Sequence, residues 1–330
     1  MSTLYVSQQG CYVCLQQETL LIKRKNAIYG RVQLPLVEQI LVFGMAQVTT
    51  QVIRSCLHRD IPIAYLSKMG YCYGRLNSIK RGYRYLSRYQ QELSFVDRLT
   101  TARAIVVAKL KNSRVVLRRQ LRRLESETVT QAMENLSYFA SQAANAVSIE
   151  SLMGYEGAGA AEYFRAFGEC IRNPDFSFTA RVRHPPGNEV NAMLSFGYQV
   201  VWNHLLALLE LQGLDPYCGC LHEGRENHAA LASDLIEEFR APLVDSLVLR
   251  LINTKEINSQ KDFVYRDGAC YLNDSGRKKY LQAFIKRMEE VIHNSSGVEV
   301  PRWDWLNEQV KRYKQFVYSP SQSYQPFRLP

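Results

Sequence analysis

Residues 221–240 read LHEGRENHAALASDLIEEFR, in which one histidine, His222, is followed by the acids Asp234, Glu237 and Glu238. On a helix Asp234 lies one turn from both glutamates, so these three carboxylates gather on one surface. They repel one another unless a cation or an arginine neutralises them. An imidazole beside carboxylates is a ligand set suited to magnesium or manganese more than to structural zinc. The stretch therefore predicts either a metal site or a solvated acidic helix face.

A second acidic position lies upstream, in the segment LMGYEGAGAAEYF of residues 152–164. Glu156 is followed by five residues with almost no side chain (157–161), which allow a neighbouring helix to approach closely. Tyr163 is seven positions further on and shares the helical face of Glu156. A carboxylate held in such an interface needs a cation. Taken alone, this motif leaves a metal ion and an arginine equally open.

The formal charge of +10 is concentrated in one part of the chain. Between Arg75 and Leu124 there are 14 lysines and arginines against two acids, Glu92 and Asp97, and tyrosines interleave with the first of them. Localised positive charge with aromatic partners is typical of a nucleic-acid surface, whereas the alternative is a solvated basic helix face. The predicted nucleic-acid-binding residues are Arg75, Lys80, Arg81, Arg84, Lys109, Lys111, Arg114, Arg118, Arg119, Arg122 and Arg123.

Two periodicities divide the chain. Up to about residue 90, short runs rich in Val, Ile, Leu and Tyr predict strands, with one helix over Thr49–His58. From about Phe95, apolar residues recur every three to four positions and predict a series of helices. The fold class is therefore α+β with two domains: a small N-terminal β-sandwich-like domain (1–95) and a larger all-α catalytic domain (96–330). The Ser/Pro-rich end, about 319–330, is predicted to be an extended and flexible tail.

The compartment is predicted to be the cytoplasm. The first ten residues, MSTLYVSQQG, lack the basic start and apolar core of a signal peptide. The most apolar helix, Val190–Leu211, is interrupted by Asn191, Asn203, His204 and Glu210, which predicts a buried helix and not a membrane span. His184, His204 and His228 are predicted to be packing or exposed residues and not ligands.

Four segments, in their order along the chain, resemble the CRISPR-associated integrase family, the Cas1 proteins of spacer acquisition. They are YEGAGAAEYF, NAMLSFGY (191–198), GLDPYCGCLHEGRENHAALASDLIEEFR (213–240) and Val244-Asp245. The resemblance extends over essentially the whole chain. It implies a β-sandwich-like N-terminal domain, a helical domain that binds one divalent metal, a homodimer, and a small partner protein, Cas2.

The resemblance also implies which residues bind the metal, Mg²⁺ or Mn²⁺. They fall on Glu156, His222 and Glu237, which are also the predicted catalytic residues. Asp234 lies one turn from Glu237 and could share its role, but it is assigned to orienting a ligand. Arg240 could neutralise the surplus carboxylate, and Glu238 is predicted to be a surface or pairing residue. Tyr163, Asn191 and Ser195 are candidate polar neighbours that position a phosphate.

The reaction implied is the joining of short DNA fragments to a CRISPR repeat array, in which a 3′-hydroxyl attacks a phosphodiester. One alternative is a stand-alone metal-dependent nuclease that acts on branched DNA in repair or recombination, with water as the attacker. The other is a non-catalytic nucleic-acid-binding module whose acids form salt bridges. Reaction products distinguish the first two, and divalent-metal binding distinguishes both from the third.

Overall fold

The computed structural model describes the whole chain except residues 1, 26, 69–70, 80–82, 123, 183–184, 227, 294–296, 298 and 330. By contact the chain forms two compact units. Unit 1 comprises residues 1–92 and 200–216, and unit 2 comprises residues 93–199 and 217–330. The prediction has one domain boundary, near residue 95, whereas the two units have three boundaries along the chain, after residues 92, 199 and 216.

Unit 1 is built on two four-stranded mixed sheets. Its strands are β1 (Ser2–Val6), β2 (Tyr12–Gln16), β3 (Thr19–Arg24), β4 (Ala27–Gln33), β5 (Val37–Phe43), β6 (Gln47–Val48), β7 (Ile63–Leu66) and β8 (Cys72–Leu76). One sheet has the order β1-β5-β7-β8 and the other the order β4-β3-β2-β6. Both sheets contribute to one apolar core, with Val6, Val13, Leu20, Ile40 and Ile63. The predicted strand-rich N-terminal domain is confirmed.

Two helices accompany these sheets, α1 (Thr50–His58) and α2 (Tyr83–Gln91). Only the first was predicted, because the basic and tyrosine-rich residues of α2 do not form an apolar stripe of helical period. On α1, Val52 and Cys56 are four residues apart and enter the core between the sheets.

The second half of a long helix, α6 (Glu189–Gln212), also belongs to unit 1. His204 is buried there, and its ring stacks on Tyr5 at 5.6 Å and on Phe43 at 6.4 Å between centroids. The predicted packing role of His204 is confirmed. This helix is long and apolar enough to cross a membrane by length and composition, but 72% of the relevant window is buried within the fold. It is a core helix, as predicted.

The helices of unit 2 begin with a sequential trio, α3 (Phe95–Gln120), α4 (Glu127–Ala144) and α5 (Ile149–Glu169). Each begins at a serine whose side chain accepts a hydrogen bond from the backbone three residues on: Ser94, Ser126 and Ser148. The remaining helices are α7 (Ala230–Ile236), α8 (Ser246–Asn253), α9 (Asp274–Glu289) and α10 (Trp303–Tyr318). A π-helical segment, Arg240–Asp245, connects α7 to α8. The predicted helical domain is confirmed.

Unit 2 also contains two short hairpins that the sequence reading missed, so it is not purely helical. β9 (Phe263–Arg266) pairs with β10 (Ala269–Leu272), and β11 (Val291–His293) pairs with β12 (Glu299–Pro301). A helix was predicted over Gly276–Asn294, but α9 ends at Glu289. The β-branched pair Val291-Ile292 favours the strand instead.

The C-terminal segment is anchored to the helical unit, in contrast to the predicted flexible tail: a turn at residues 320–322 leads into residues 323–329, which have no regular secondary structure. Tyr324 is buried, and its hydroxyl donates to Glu238 Oε1 at 2.7 Å. The Phe327 amide donates to Glu238 Oε2, and the Leu329 amide donates to Asn112 Oδ1 at 2.8 Å. A Ser/Pro-rich composition predicts that the segment is not helical, but it does not show that the segment binds to side chains of the helical unit.

Replacement of Tyr324 by alanine is expected to destabilise the protein by about 3–5 kcal/mol, because it empties a buried aromatic site and leaves Glu238 with one donor fewer. Urea unfolding measures the loss. The matched control is Tyr318→Ala at an exposed position at the end of α10, which should stay within about 0.5 kcal/mol of the wild type. Equal losses in both variants would show that the tail is not anchored through Tyr324.

Candidate metal centre

Close packing of α5 against α3 places Glu156. A Cβ atom added at Gly159 would lie 2.4 Å from Leu110 Cδ2, so only glycine permits this approach of the two helices. At Gly157 the same atom would meet nothing within 4 Å. The close approach predicted from the small residues is therefore confirmed, and it depends on Gly159. Lys109 precedes Leu110 on α3, so this packing also places the ammonium of Lys109 beside Glu156.

Two carboxylates from different elements converge on the ammonium of Lys109. Lys109 Nζ makes ion pairs with Glu156 Oε1 of α5 and, at 2.5 Å, with Glu237 Oε2, just after α7. The side chains are 10%, 18% and 4% exposed, respectively. Lys109 was predicted to be one of the nucleic-acid-binding residues of a basic surface, but in the structure its side chain is buried between two acids.

Arg240 completes the charge balance around Glu237. Its Nη2 lies 3.0 Å from Glu237 Oε1, as the prediction of a neutralising arginine requires. Burial alone would raise the pKa of Glu237, but the charges of Arg240 and Lys109 outweigh it and hold the pKa below its usual value. Glu237 is therefore an anion held by two cations.

His222 is held by Asp234, which is completely buried. Asp234 accepts hydrogen bonds from the backbone amides of Cys220, Leu221 and His222 at 2.6, 3.0 and 2.9 Å. Its Oδ1 also lies 2.8 Å from His222 Nδ1. A Cβ at Gly219 would stand 2.9 Å from Asp234 Oδ2, so the glycine before this loop makes room for the carboxylate. The predicted orienting contact of Asp234 is present.

The electrostatics of His222 follow from the same contact. Burial lowers the pKa of this imidazole, but the hydrogen bond to Asp234 and the negative charges of Asp234 and Glu237 outweigh it, and the net shift is upward. Because Nδ1 is engaged by Asp234, Nε2 is the nitrogen that remains for a ligand.

Glu238, next to Glu237, was predicted to be a surface or pairing residue. It is fully buried and accepts hydrogen bonds from the C-terminal segment, so it does not lie at the surface. Burial raises its pKa to about 8, against the opposing hydrogen bonds from Tyr324 and Phe327. Consecutive residues on a helix point about 100° apart, so two neighbouring glutamates can make unrelated contacts.

A buried polar network adjoins the two carboxylates. Tyr163 and Tyr198 donate hydrogen bonds to Asp245 at 2.9 and 2.6 Å. The guanidinium groups of Arg181 and Arg240 lie 5.4 and 4.6 Å from the centre of the Tyr198 ring. The sequence reading placed Tyr163 near the site but gave no role to Arg181, Tyr198 or Asp245.

Asn191 and Ser195 hold Arg181. Its two terminal nitrogens donate to Asn191 Oδ1 and Ser195 Oγ, both at 2.9 Å. These two residues were predicted to position a phosphate. Their observed contacts are to the arginine, so any effect on a phosphate would pass through Arg181.

Burial raises the pKa of Asp245 to about 6, opposed by its hydrogen bonds to Tyr198 and Tyr163 and by the charges of Arg240 and Arg181. A carboxyl whose pKa rises on folding binds its proton more tightly in the folded state. Its contribution to the free energy of unfolding therefore falls as pH rises from about 4 to about 6, by about 3 kcal/mol in total. The Asp245→Asn variant should lack this fall in urea unfolding measured from pH 4 to 7. Parallel curves for the two proteins would contradict the assignment.

Among the residues that the structure describes, no group of three or more His, Cys, Asp or Glu side chains could hold a metal ion as placed. Glu156 and Glu237 nevertheless share one cation, and Glu237 Oε2 is buried with no hydrogen-bond partner beyond its ion pair with Lys109. Two carboxylate oxygens and an oriented imidazole are donors that suit Mg²⁺ or Mn²⁺. The donor types of Glu156, His222 and Glu237 are therefore those that a divalent cation prefers, although the three side chains as placed do not surround one common point.

The predicted basic residues separate into several environments. Lys111, Arg118, Arg119 and Arg122 are exposed and Arg114 is partly buried, all on α3 or just after it. Burial and the charges of Arg118, Arg122 and Arg302 lower the pKa of Arg119, which shows that positive charge is crowded there. In unit 1, Arg75 pairs with Glu210 at 2.6 Å. Lys80, Arg81, Arg123 and the Arg84 side chain lie outside the described residues, as does His184, whereas His228 is exposed as predicted.

Fold and site together define a class: an α+β protein whose helical unit carries a carboxylate–histidine group beside a basic helix. A family model described as CRISPR associated protein Cas1 matches residues 4–286. The chain belongs to this Cas1 family.

Relatives and solved structures agree with this membership. A CRISPR-associated endonuclease Cas1 of Moorella thermoacetica is 32% identical and covers 99% of this chain and 98% of its own length. A CRISPR-associated exonuclease Cas4/endonuclease Cas1 fusion of Geobacter sulfurreducens is 37% identical over 88% of this chain. The chain spans about half the length of this fusion protein, 54%.

Two solved structures are similar in fold. A chain of a partial Cas6-RT-Cas1–Cas2 complex has a TM-score of 0.83 and 23% identity, and the match covers 100% of this chain and 99% of that one. A casposase bound to an integration product has a TM-score of 0.72 and 21% identity, and the match covers 97% of this chain and 96% of that one.

Proposed function

We propose that this protein is a CRISPR adaptation integrase that joins the 3′-hydroxyl ends of short DNA fragments to the CRISPR repeat array. The observation that carries the proposal is the convergence of Glu156 and Glu237 on one cation, in the unit where Asp234 orients His222. Membership of the Cas1 family supports it.

Glu156, His222 and Glu237 would hold one Mg²⁺ or Mn²⁺ ion. When bound, such a metal lowers the pKa of an attacking hydroxyl and polarises the scissile phosphate. Asp234 fixes the imidazole tautomer by its contact with Nδ1, and Arg240 keeps Glu237 ionised and in place.

The reaction is a transesterification. A bond forms between the incoming 3′-oxygen and phosphorus, the bond from phosphorus to the 3′-oxygen of the repeat strand breaks, and that oxygen leaves with a proton. No serine or cysteine of the protein becomes covalently attached to DNA. The protein supplies position and charge, which account for most catalysis of phosphoryl transfer.

The exposed basic residues Lys111, Arg118, Arg119 and Arg122 would bind DNA phosphates, so affinity for DNA should depend strongly on salt. We propose DNA, Cas2 and a second copy of this chain as its partners, with dimer and Cas2 contacts made by the N-terminal domain. Two structures of similar fold, a chain of a Cas6-RT-Cas1–Cas2 complex and a casposase bound to an integration product, support this proposal.

The test is a joining assay with the purified protein, with and without its Cas2 partner, on supercoiled DNA that carries a CRISPR repeat. Integration predicts a species in which the labelled fragment is joined to the plasmid. Cleaved fragments alone would favour the stand-alone nuclease, which uses the same ligands with water as the attacker. The absence of both products in Mg²⁺ and Mn²⁺ would contradict both reactions.

A further inference from the structure

We propose that Lys109 is a resident counter-ion of the metal centre, which the divalent cation displaces from the two carboxylates. The inference rests on the proposed metal site and deepens it. Its basis is the position of the Lys109 ammonium, which contacts both Glu156 and Glu237.

Lys109 lies in an otherwise apolar part of α3. Residues 105–110 are all buried, and their sequence IVVAKL has one charged member. Burying a lysine is costly unless a carboxylate pairs with it. The two partners here are the same carboxylates that fit a metal, so this lysine occupies the cation position of the site.

Charge balance makes the two cations mutually exclusive. Glu156 and Glu237 carry two negative charges, which Lys109 and Arg240 balance. A divalent cation added to that group would leave a surplus of two positive charges in a buried place. At close range the repulsion between the metal and the ammonium is strong, because the low dielectric of the interior screens it poorly. Departure of the ammonium from the carboxylates relieves the repulsion.

An adjoining cavity can receive the displaced ammonium. It has a volume of about 20 Å³, which is room for about one water molecule, and its polar lining consists of Lys109, Ser113, Tyr163, Arg181, Tyr198, Arg240 and Asp245. With Lys109 released, its ammonium would face this cavity together with Arg181, Arg240 and the carboxyl of Asp245.

The first test compares Lys109→Met with Lys111→Met, an exposed lysine on the same helix, by Mn²⁺ titration calorimetry without DNA. Loss of the competing ammonium should tighten Mn²⁺ binding by about tenfold or more in Lys109→Met and leave Lys111→Met unchanged. In the metal-free state Lys109→Met should melt roughly 5–10 °C lower, because two buried carboxylates lose their partner. Mn²⁺ binding that is unchanged or weaker in Lys109→Met would overturn the proposal.

A second measurement uses the wild-type protein, so it does not depend on the folding of a variant. Lysine acetylation followed by mass spectrometry compares the reactivity of Lys109 with that of Lys111, with and without Mn²⁺. Displacement predicts that Mn²⁺ raises the reactivity of Lys109 several-fold and not that of Lys111. Unchanged or reduced reactivity of Lys109, with Mn²⁺ shown to bind, would contradict displacement alone. Failure of Mn²⁺ to bind the wild type and both variants would instead contradict the metal centre itself.

Discussion

Replacement of His222 by alanine is expected to abolish the joining of 3′-hydroxyl DNA fragments to supercoiled DNA, by at least ~100-fold, while the protein stays folded. The imidazole is 28% exposed and is held by Asp234 with Nδ1 engaged, so the substitution removes a donor without opening a core cavity. The yield of joined product in Mg²⁺ and in Mn²⁺ measures the loss, and thermal unfolding checks the fold.

His228→Ala is the matched control. This histidine lies six positions further on and is exposed. Its ring nitrogen lies 3.1 Å from Ser233 Oγ, and no ligand role is proposed for it. Its loss should leave joining within about twofold of the wild type. Metal-dependent joining retained by His222→Ala would reject the assignment of His222 as a ligand.

The second large effect is expected from reversing the charge of Arg118 and Arg119 together. Both are exposed near the end of α3, where positive charge is crowded. The logarithm of the DNA-binding constant falls linearly with the logarithm of the salt concentration, and the slope of this line is the salt slope. If each arginine contacts one phosphate, the double change to glutamate should lower the magnitude of the salt slope by about two. Affinity near 0.1 M salt should fall by about ten- to a hundredfold for every DNA sequence tested.

Arg277→Glu with Lys278→Glu is the control for net charge. These neighbours are exposed on α9 of the same unit, so the double variant carries the same change of four charges. Fluorescence anisotropy at several salt concentrations compares the two variants. A salt slope that is unchanged in the α3 variant, or lowered equally in both, would show that this end of α3 is not the DNA surface.

The order of elements was largely predictable, because strand and helix periods are local properties of the sequence. The long helices α3 to α6 follow the apolar pattern closely. The hairpin that begins at Val291 is short, and its strands are only three residues long, which is too few for a period to show. The assignment of 200–216 to unit 1 depends on contacts such as that of His204 with Tyr5, which no single helix reveals.

The sequence pointed to the acids of the site, its histidine and the neutralising Arg240, but not to the positions of Lys109 and Arg181. Motif order pointed to Glu156, His222, Asp234 and Glu237. In the structure Glu156 and Glu237 meet on Lys109, and His222 meets Asp234. Lys109 was counted with the basic surface because a charge count does not distinguish buried from exposed lysines. The available signal was its place in the apolar run 105–110. Arg181 follows no helical pattern, so nothing local indicated that Asn191 and Ser195 hold it.

The most direct test of the metal centre is the number of Mn²⁺ ions bound per chain, measured by electron paramagnetic resonance on the wild type and on Glu156→Gln, His222→Ala and Glu237→Gln. One tightly bound ion is predicted for the wild type, with at least ~100-fold weaker binding in each variant. His228→Ala should bind as the wild type does. Stoichiometric Mn²⁺ retained in all three ligand variants, or none in the wild type, would contradict a metal centre formed by Glu156, His222 and Glu237.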